Sequence, residues 1–283
     1  MLYSASNAKL KVNGNEILAS NAQLSLGTNL QPAYLITNRN TNEYSASNGV
    51  GGDLSFNYYL TGDDYFKSFI TGQGERIGET TVISGNFGGL NFDSGYLTSY
   101  SVNFSPNTAA IASAKVTFFD ELQGEFVESI EQPPSSVEVL NLKNAVVANA
   151  GDVFSSGDVN NFIGGAYNYA AEVKPVYLMN ETKPSDVSFG PKSVNINFEI
   201  DTPSGYLPFS GTRAKILVSL RNSAGTTVEN FVCSGVANQR SLASSVGDYI
   251  KQTINILQGT AEEAAVSKEN GEPLGIDDMR GLS

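Results

Sequence analysis

The chain has 283 residues, of which 40% are hydrophobic and 10% aromatic, and its formal net charge is −12. This length and composition favour a globular protein with room for two domains over a disordered chain. The absence of histidine and the single cysteine, Cys233, exclude histidine-based triads, Cys-rich zinc sites and an intramolecular disulfide, and the acidic balance disfavours tight binding to nucleic acid.

The composition favours strands and turns over helices. Gly, Ser, Asn, Thr and Tyr are plentiful, and periodic runs of helix formers are scarce, which predicts a mainly β fold with many turns. The first residues lack the basic and apolar regions of a signal peptide, and no apolar run approaches the roughly 20 residues of a membrane span. We therefore expect a protein of the cytoplasm, or of a particle assembled there, with no membrane partner. We expect Cys233 to be a small buried apolar residue.

The first elements along the chain are strands. Asn13-Gly14 separates two alternating segments within residues 9–18, which predicts a hairpin with a type I′ turn. Residues 22–36, which include the stretch QPAYLI, continue as an extended strand. The polar residues 37–52 predict a long loop, and such loops are more often functional than idle.

The rest of the first half adds a strand, a short helix and two more strands. Residues 53–60 alternate, and their apolar residues share one face: Leu54, Phe56, Tyr58 and Leu60. Residues 61–70 predict a short helix, with Thr61 as its N-cap and Asp63 and Asp64 in its first turn. Residues 95–104 and 114–119 alternate like strands of a sheet.

The second half repeats this order. The stretch KPVYLM at 174–179 resembles QPAYLI, and Pro32 and Pro175 lie 143 positions apart. A polar loop is predicted again at 180–193. An alternating strand follows, with Val194, Ile196, Phe198 and Ile200 in the places of Leu54, Phe56, Tyr58 and Leu60. The closing strand, 248–257, matches either 97–104 or 113–119, and the pattern leaves this open. We interpret the order as a tandem duplication.

The predicted units are bounded by a linker and a tail. We assign residues 1–130 to the first unit, 131–141 to a linker that contains Pro133-Pro134, and 142–258 to the second unit. Residues 259–283 hold six acidic and two basic residues and almost no core formers, which indicates an acidic tail that docks on neighbouring subunits. Its candidate contact residues are Leu274, Ile276, Met279 and Leu282.

No motif indicates an enzyme. Asp63 and Asp64 could in principle form a carboxylate pair or a calcium site, but their position at a predicted helix start favours a capping role. The glycine-rich segments 48–53 and 85–95 lack the following helix that a phosphate-binding turn requires. Tyrosines on alternating strands favour packing on a sheet face over a sugar-binding platform. We expect no catalytic residues, no cofactor and no metal site.

The first half resembles the tail tube proteins of bacteriophages. The resemblance rests on strand order and composition over residues 1–125, and through the duplication over 160–258, in these stretches: VNGNEILASNAQLSL, LQPAYLITN, GVGGDLSFNYYLTGDDYF, GYLTSYSVNFSPN and ASAKVTFF. It implies two tandem tail-tube-like β-sandwich or barrel domains, each with a short helix. It further implies subunits that close edge to edge into rings of sixfold symmetry.

From the resemblance we expect a structural protein of the virion, assembled in the host cytoplasm. Three chains with two copies each would form a pseudo-sixfold ring. Rings would stack on one another and on other tail proteins, and genomic DNA would pass through the lumen without specific binding. The two polar loops would reach the next ring. Their candidate residues are Arg39, Asn40, Asn42, Glu43, Tyr44, Lys183, Asp186 and Phe189.

Two alternatives remain open. A neck or baseplate ring protein of the tail would have the same fold but would meet a different partner above or below. A carbohydrate-binding or adhesin β domain would need exposed aromatic residues in a groove, and the absence of tryptophan argues against it.

Deleting residues 259–283 tests the tail. The truncated protein should keep the unfolding temperature of the full chain, because the tail lacks core residues, but should assemble less well. Thermal unfolding and light scattering measure the two properties. A markedly lower unfolding temperature for the truncated monomer would mean that the tail belongs to a core.

Overall fold

The computed structural model describes residues 9–34, 41–62, 64–72, 82–105, 108–126, 138–140, 146–151, 162–179, 181, 183–201, 213–243 and 250–258. In these parts the chain is mainly β, as the sequence predicts, and all strand pairs are antiparallel. The strands are β1 (Leu10–Val12), β2 (Asn15–Ile17), β3 (Ala19–Tyr34), β4 (Thr41–Tyr59), β5 (Ile83–Phe87), β6 (Leu90–Phe104), β7 (Ile111–Phe118), β8 (Val146–Gly151), β9 (Phe162–Val176), β10 (Asp186–Asp201), β11 (Arg213–Arg221), β12 (Thr227–Ala243) and β13 (Lys251–Gln258). A helix, α1 (Lys67–Gly72), lies between β4 and β5.

The order of strands in the sheet repeats in the two halves of the chain. In the first half neighbouring strands follow the order β3-β4-β7-β6-β5-β1, and β2 is added beside β1. In the second half the order is β9-β10-β13-β12-β11-β8. Each position in one series has a counterpart in the other. The closing strand β13 lies between β10 and β12 as β7 lies between β4 and β6, which resolves the alternative that the sequence left open.

Irregularities in strand pairing recur as well. A register shift, where two paired strands advance by unequal numbers of residues, marks a bulge or another irregularity of the ladder. Three shifts of the first half have counterparts 143, 143 and 140 positions later: residues 19–21 with 162–164, 28–30 with 171–173, and 97–99 with 237–239. Matching bulges fix the residue correspondence more firmly than side-chain alternation does.

The bulges correct the predicted correspondence by two residues. Tyr58 and Ile200 each pair just beyond the first of these shifts, with Ala19 and Phe162 respectively, so β4 and β10 correspond at a separation of 142 rather than 140. Leu54 therefore matches Ile196, not Val194. Side chains on a strand repeat every two residues, so a slip of two keeps every apolar residue on the same face. The sequence pattern could not detect it.

The predicted core faces are confirmed. All four apolar residues of 54–60 and all four of 194–200 that the alternation selects are buried. Cys233 is fully buried. Buried residues of both halves belong to one continuous cluster, in which β6 and β9 contribute Tyr100 and Tyr167.

The two predicted polar loops are wrong in part. Residues 41–52 and 186–193 are strand rather than loop, because β4 begins at Thr41 and β10 at Asp186. Polar residues suffice in these hairpin arms, since the ladder is formed by backbone groups. Of the segment predicted as a linker, only residues 138–140 are described; Leu140 is buried and its backbone bonds to Leu60 and Ala110.

The short helix is present but starts later than predicted. It begins at Lys67, so Thr61 lies six positions ahead of it and is not its N-cap. The backbone N–H of Phe66 donates to Oδ1 of Asp64 at 3.0 Å, and the N–H of Lys67 donates to the Asp64 carbonyl at 3.3 Å. Asp64 therefore holds the turn that leads into α1, but it lies three positions before the helix and not in its first turn, where the sequence predicts it. Asp63 lies outside the described residues.

The type I′ turn between β1 and β2 requires a left-handed backbone at both central residues. Asn13 has φ 47° and Gly14 has φ 79°, and Val12 pairs with Asn15 across the turn. The Asn13 Oδ1 also accepts a hydrogen bond from the Ser84 N–H at 2.7 Å. The turn is thereby attached to β5, and the NG signal in the sequence predicts it correctly.

Gly14→Ala should lower the free energy of unfolding by about 1–2 kcal/mol, because alanine is strained at positive φ. Urea unfolding measures this. Gly62→Ala is the control: a Cβ at Gly62 meets nothing within 4 Å and the residue has no positive φ. Equal losses in the two variants would show that the turn is not strained by a side chain.

Candidate assembly interface

The junction between β6 and β9 joins the two halves edge to edge. Ser99 pairs with Ala170 and the ladder continues to Phe104 with Gly165. On its other side the same stretch of β6 pairs with β7. An open strand edge exposes unpaired N–H and C=O groups, and pairing with another sheet satisfies them. The junction is thus a strand-pairing interface built within one chain.

Large side chains bury the junction on one face. Tyr100 of β6 and Tyr167 of β9 contact edge to face, with ring centroids 6.3 Å apart. Phe231 of β12 lies against both Tyr167, at 5.4 Å, and Phe104, at 5.5 Å. Each aromatic contact of this kind contributes about 0.5–1.5 kcal/mol beyond its buried area. The ring of Phe231 therefore ties the second half to both strands of the junction.

The carboxyl group of Asp64 is buried and bonds to Tyr100 of the junction. The Tyr58 hydroxyl donates to Oδ1 of Asp64 at 2.7 Å, and the Tyr100 hydroxyl donates to Oδ2. Burial raises the pKa of Asp64, while the hydrogen bonds from Tyr100 and Tyr58 partly oppose that shift. Burial, reinforced by the nearby Asp64 carboxyl, also raises the pKa of both tyrosines. The tyrosines therefore stay protonated as donors.

The same segment crosses to the second half through Glu229 of β12. The backbone N–H of Asp64 donates to Oε2 of Glu229 at 2.6 Å, and Nζ of Lys67 lies 2.5 Å from Oε1. Lys67 also donates to the carbonyl of Asn230, and its Nζ lies 5.5 Å from the centre of the Phe231 ring. Glu229 is buried while the Lys67 side chain is 33% exposed, so removing Lys67 would leave a buried carboxylate with fewer partners, which is costly.

This contact is the part of the interface that sequence reasoning missed. Asp64 and Glu229 are 165 positions apart, and no local pattern connects them. The one available signal is an acidic residue inside the apolar strand TVENFVCSG, since a buried acid needs a partner.

A second contact between the halves lies at the other end of the junction. Tyr96, Phe119 and Val187 form a small buried cluster, and Phe189 packs on Tyr96 with ring centroids 5.6 Å apart. Nζ of Lys183 lies 2.7 Å from Oδ1 of Asp120, which raises the pKa of Lys183. The turn between β9 and β10 is therefore held against the end of β7.

The candidate loop residues separate into three groups. Lys183 and Phe189 contact the first half as described, and Asp186 lies near enough to Tyr96 to help raise its pKa. Three others form part of strand β4: Asn42, Glu43 and Tyr44. Arg39 and Asn40 lie outside the described residues, as do the tail candidates Leu274, Ile276, Met279 and Leu282.

Within the parts of the chain that the structure describes, β2, β3 and β8 each pair on one side only, and β12 is unpaired on one side at its end. Two of these edges, on β3 and β12, are the counterparts of the strands that meet in the β6–β9 junction. β3 pairs only with β4. The end of β12, residues 237–243, pairs with β13 on one side, while β11 accompanies β12 only as far as Val236. Both edges carry an exposed leucine: Leu26 is 48% exposed and Leu242 is 52% exposed.

Nothing in the described parts of the chain points to a metal or to a spanning helix. No group of three or more Cys, Asp or Glu side chains lies together there in a way that could hold a metal ion. No helix within those residues is long and apolar enough to cross a membrane. Both oxygens of Asp64 are occupied by tyrosine hydroxyls, an arrangement that suits a structural carboxyl group.

Comparison with known proteins does not identify a family. No family model matches the chain, and no curated protein has a significantly similar sequence.

Asp64→Asn tests the buried network through its pH dependence. A carboxyl whose pKa is raised on folding contributes stability below its unfolded pKa, and this contribution is lost as pH rises through the folded pKa. Asparagine does not titrate. The free energy of unfolding of the wild type, relative to Asp64→Asn, should therefore fall as pH rises above about 4, the ordinary pKa of an aspartate.

Urea unfolding at several pH values measures this difference, and Asp93→Asn, which removes a carboxylate from the exposed surface, is the matched control. If the difference in the free energy of unfolding between the wild type and Asp64→Asn stays constant or grows with pH, the pKa of Asp64 is not raised on folding.

Proposed function

We propose that the protein is a structural subunit of a phage tail that forms stacked rings of a tail tube. Each chain would consist of two tandem tail-tube-like β domains, residues 1–130 and 142–258, of which the first carries a short helix. The observation that carries this proposal is the β6–β9 junction, in which two series of strands with the same order pair edge to edge. A repeated unit that already pairs with its own copy has the property that ring closure requires.

Three chains would complete a ring of six similar domains. Each chain contains one β6–β9 junction. It leaves one edge that corresponds to β6, on β12, and one that corresponds to β9, on β3, without a partner. Strand pairing of the same kind could therefore link each chain to the next. Such head-to-tail contacts close into a ring when the rotation between units divides a full turn. Given the sixfold rings that the resemblance implies, two units per chain give three chains and pseudo-sixfold symmetry.

Genomic DNA would pass through the lumen without specific binding. Each Lys or Arg bound to phosphate would add a salt-dependent grip on DNA, so free passage favours an acidic or neutral bore. The net charge of −12 suits such a bore. We propose no catalytic residue, cofactor or metal for this role. The location would be the virion, after assembly in the host cytoplasm.

Stacking would use the ends of the two long hairpins, β3–β4 and β9–β10, together with the acidic tail at 259–283. Leu178 and Met179, at the turn after β9, are 59% and 91% exposed, and exposed apolar side chains of this size favour a contact with another subunit. Other phage tail proteins would meet the first and last rings.

A neck or baseplate ring protein is the second candidate. It would have the same junctions within the ring but would bind a different protein above or below instead of a copy of itself. A carbohydrate-binding or adhesin domain is the least supported of the three, because the tyrosines of the junction are buried rather than arranged in a groove.

Electron microscopy of the purified protein tests the proposal. Stacked tubes whose rings contain three chains and six similar units are expected, with a bore that is not lined mainly by Lys and Arg. Single rings that do not stack would favour the neck or baseplate role. Monomers at all concentrations, or six chains per ring, would contradict the ring proposal or its stoichiometry.

A further inference from the structure

We propose that the free end of β12 in one chain pairs antiparallel with the free edge of β3 in a second copy of the chain, with Ser241 opposite Ser25. This inference rests on the proposed function and names the surfaces by which chains join. It follows from the junction already present in each chain, because β12 is the counterpart of β6 and β3 is the counterpart of β9.

The register follows from the matched bulges. Residues of β6 correspond to residues of β12 that lie 140 positions later, and residues of β9 correspond to residues of β3 that lie 143 positions earlier. Ser101 pairs with Asn168 in the junction within the chain, and these two residues map to Ser241 and Ser25. The adjacent pair, Val102 with Tyr167, maps to Leu242 and Leu24.

The side chains at these positions support the pairing. Tyr167 and Tyr169 of β9 are 4% and 1% exposed, because β6 and its neighbours cover them. Their counterparts on β3 are Leu24, which already packs at the margin of the core, and Leu26, which is 48% exposed. Val102 is fully buried, whereas its counterpart Leu242 is 52% exposed. Pairing would cover an apolar stripe that each chain leaves open.

Over the stretches that would pair, neither edge carries the lysine or proline that commonly protects natural strand edges from pairing. Lysine, proline and inward-pointing charges commonly serve that purpose. Residues 19–28 contain no charged residue and no proline. Residues 237–243 contain no proline and one charged residue, Arg240. The two edges belong to one chain and have complementary counterparts in its own junction, so a second copy is the occupant that fits them.

Cross-linking of cysteine variants tests this register. Residues directly opposite in an antiparallel pair have Cα atoms about 4.5–5.5 Å apart, within reach of a short bismaleimide. A mixture of Ser25→Cys and Ser241→Cys chains should give a covalent dimer, and the double variant should give a covalent trimer and nothing larger. Both serines are exposed, so the substitutions should leave the fold intact.

Ser20→Cys combined with Ser241→Cys is the matched control. Ser20 lies on the same edge but five residues from Ser25, about 17 Å along the strand, and should give no cross-link. The buried Cys233 is present in every variant, so the wild-type chain shows any contribution from it. Rings in the microscope without a 25–241 cross-link would overturn this register and leave the ring proposal standing, whereas absence of any assembly would overturn both.

Leu242→Lys gives an independent readout. It should abolish the ring while leaving a folded monomer, since a charge would replace an apolar side chain at the centre of the new contact. Val82→Lys alters another exposed apolar residue, 37% exposed, away from both edges and should assemble normally. Analytical ultracentrifugation and circular dichroism measure assembly and folding, and intact rings of Leu242→Lys would refute the contact.

Discussion

The pairing of β6 with β9 is the constraint on which the rest of the structure depends. Backbone N–H and C=O groups at a sheet edge must find partners, and in this chain the edge of one series of strands supplies them for the other. The ring contact of Phe231 with Phe104 and the hydrogen bond from the Asp64 N–H to Glu229 join the two halves, and both form because this pairing brings β12 close to the first half. The placement of the two series of strands relative to each other is therefore set by this junction.

Much of the local structure could be predicted because it depends on short-range rules. The NG turn has the positive φ angles that its residues favour, and the alternating segments are strands whose apolar faces are buried. The sequence pattern places corresponding residues of β4 and β10 140 positions apart, whereas the structure places them 142 apart. Alternation with a period of two cannot distinguish these separations. Only the bulges, which are properties of paired strands, separate the two possibilities.

The interface could not be predicted to the same extent, because its contacts join distant parts of the chain. The sequence predicts Asp64 near the start of a helix, and the residue lies three positions before α1, but its contact with Glu229 depends on the sheet order. Phe189 and Lys183 were expected in a free loop and instead contact Tyr96 and Asp120 of the first half. Polar sequence in a hairpin arm indicates exposure to water, but does not distinguish a strand from a loop.

The junction within the chain and the proposed junction between chains differ in one respect. The first is reinforced by Glu229, which binds Lys67 and the backbone of Asp64. The residue of the first half that corresponds to Glu229, 140 positions earlier, is Gly89 in the turn before β6, which has no carboxylate. The junction between chains would therefore lack this buried ion pair and would depend on backbone pairing and on the leucines. A ring of three chains would contain three junctions between chains and three within chains. It would separate at the junctions between chains, because the junctions within chains are also held by the covalent chain and by the Glu229 contacts.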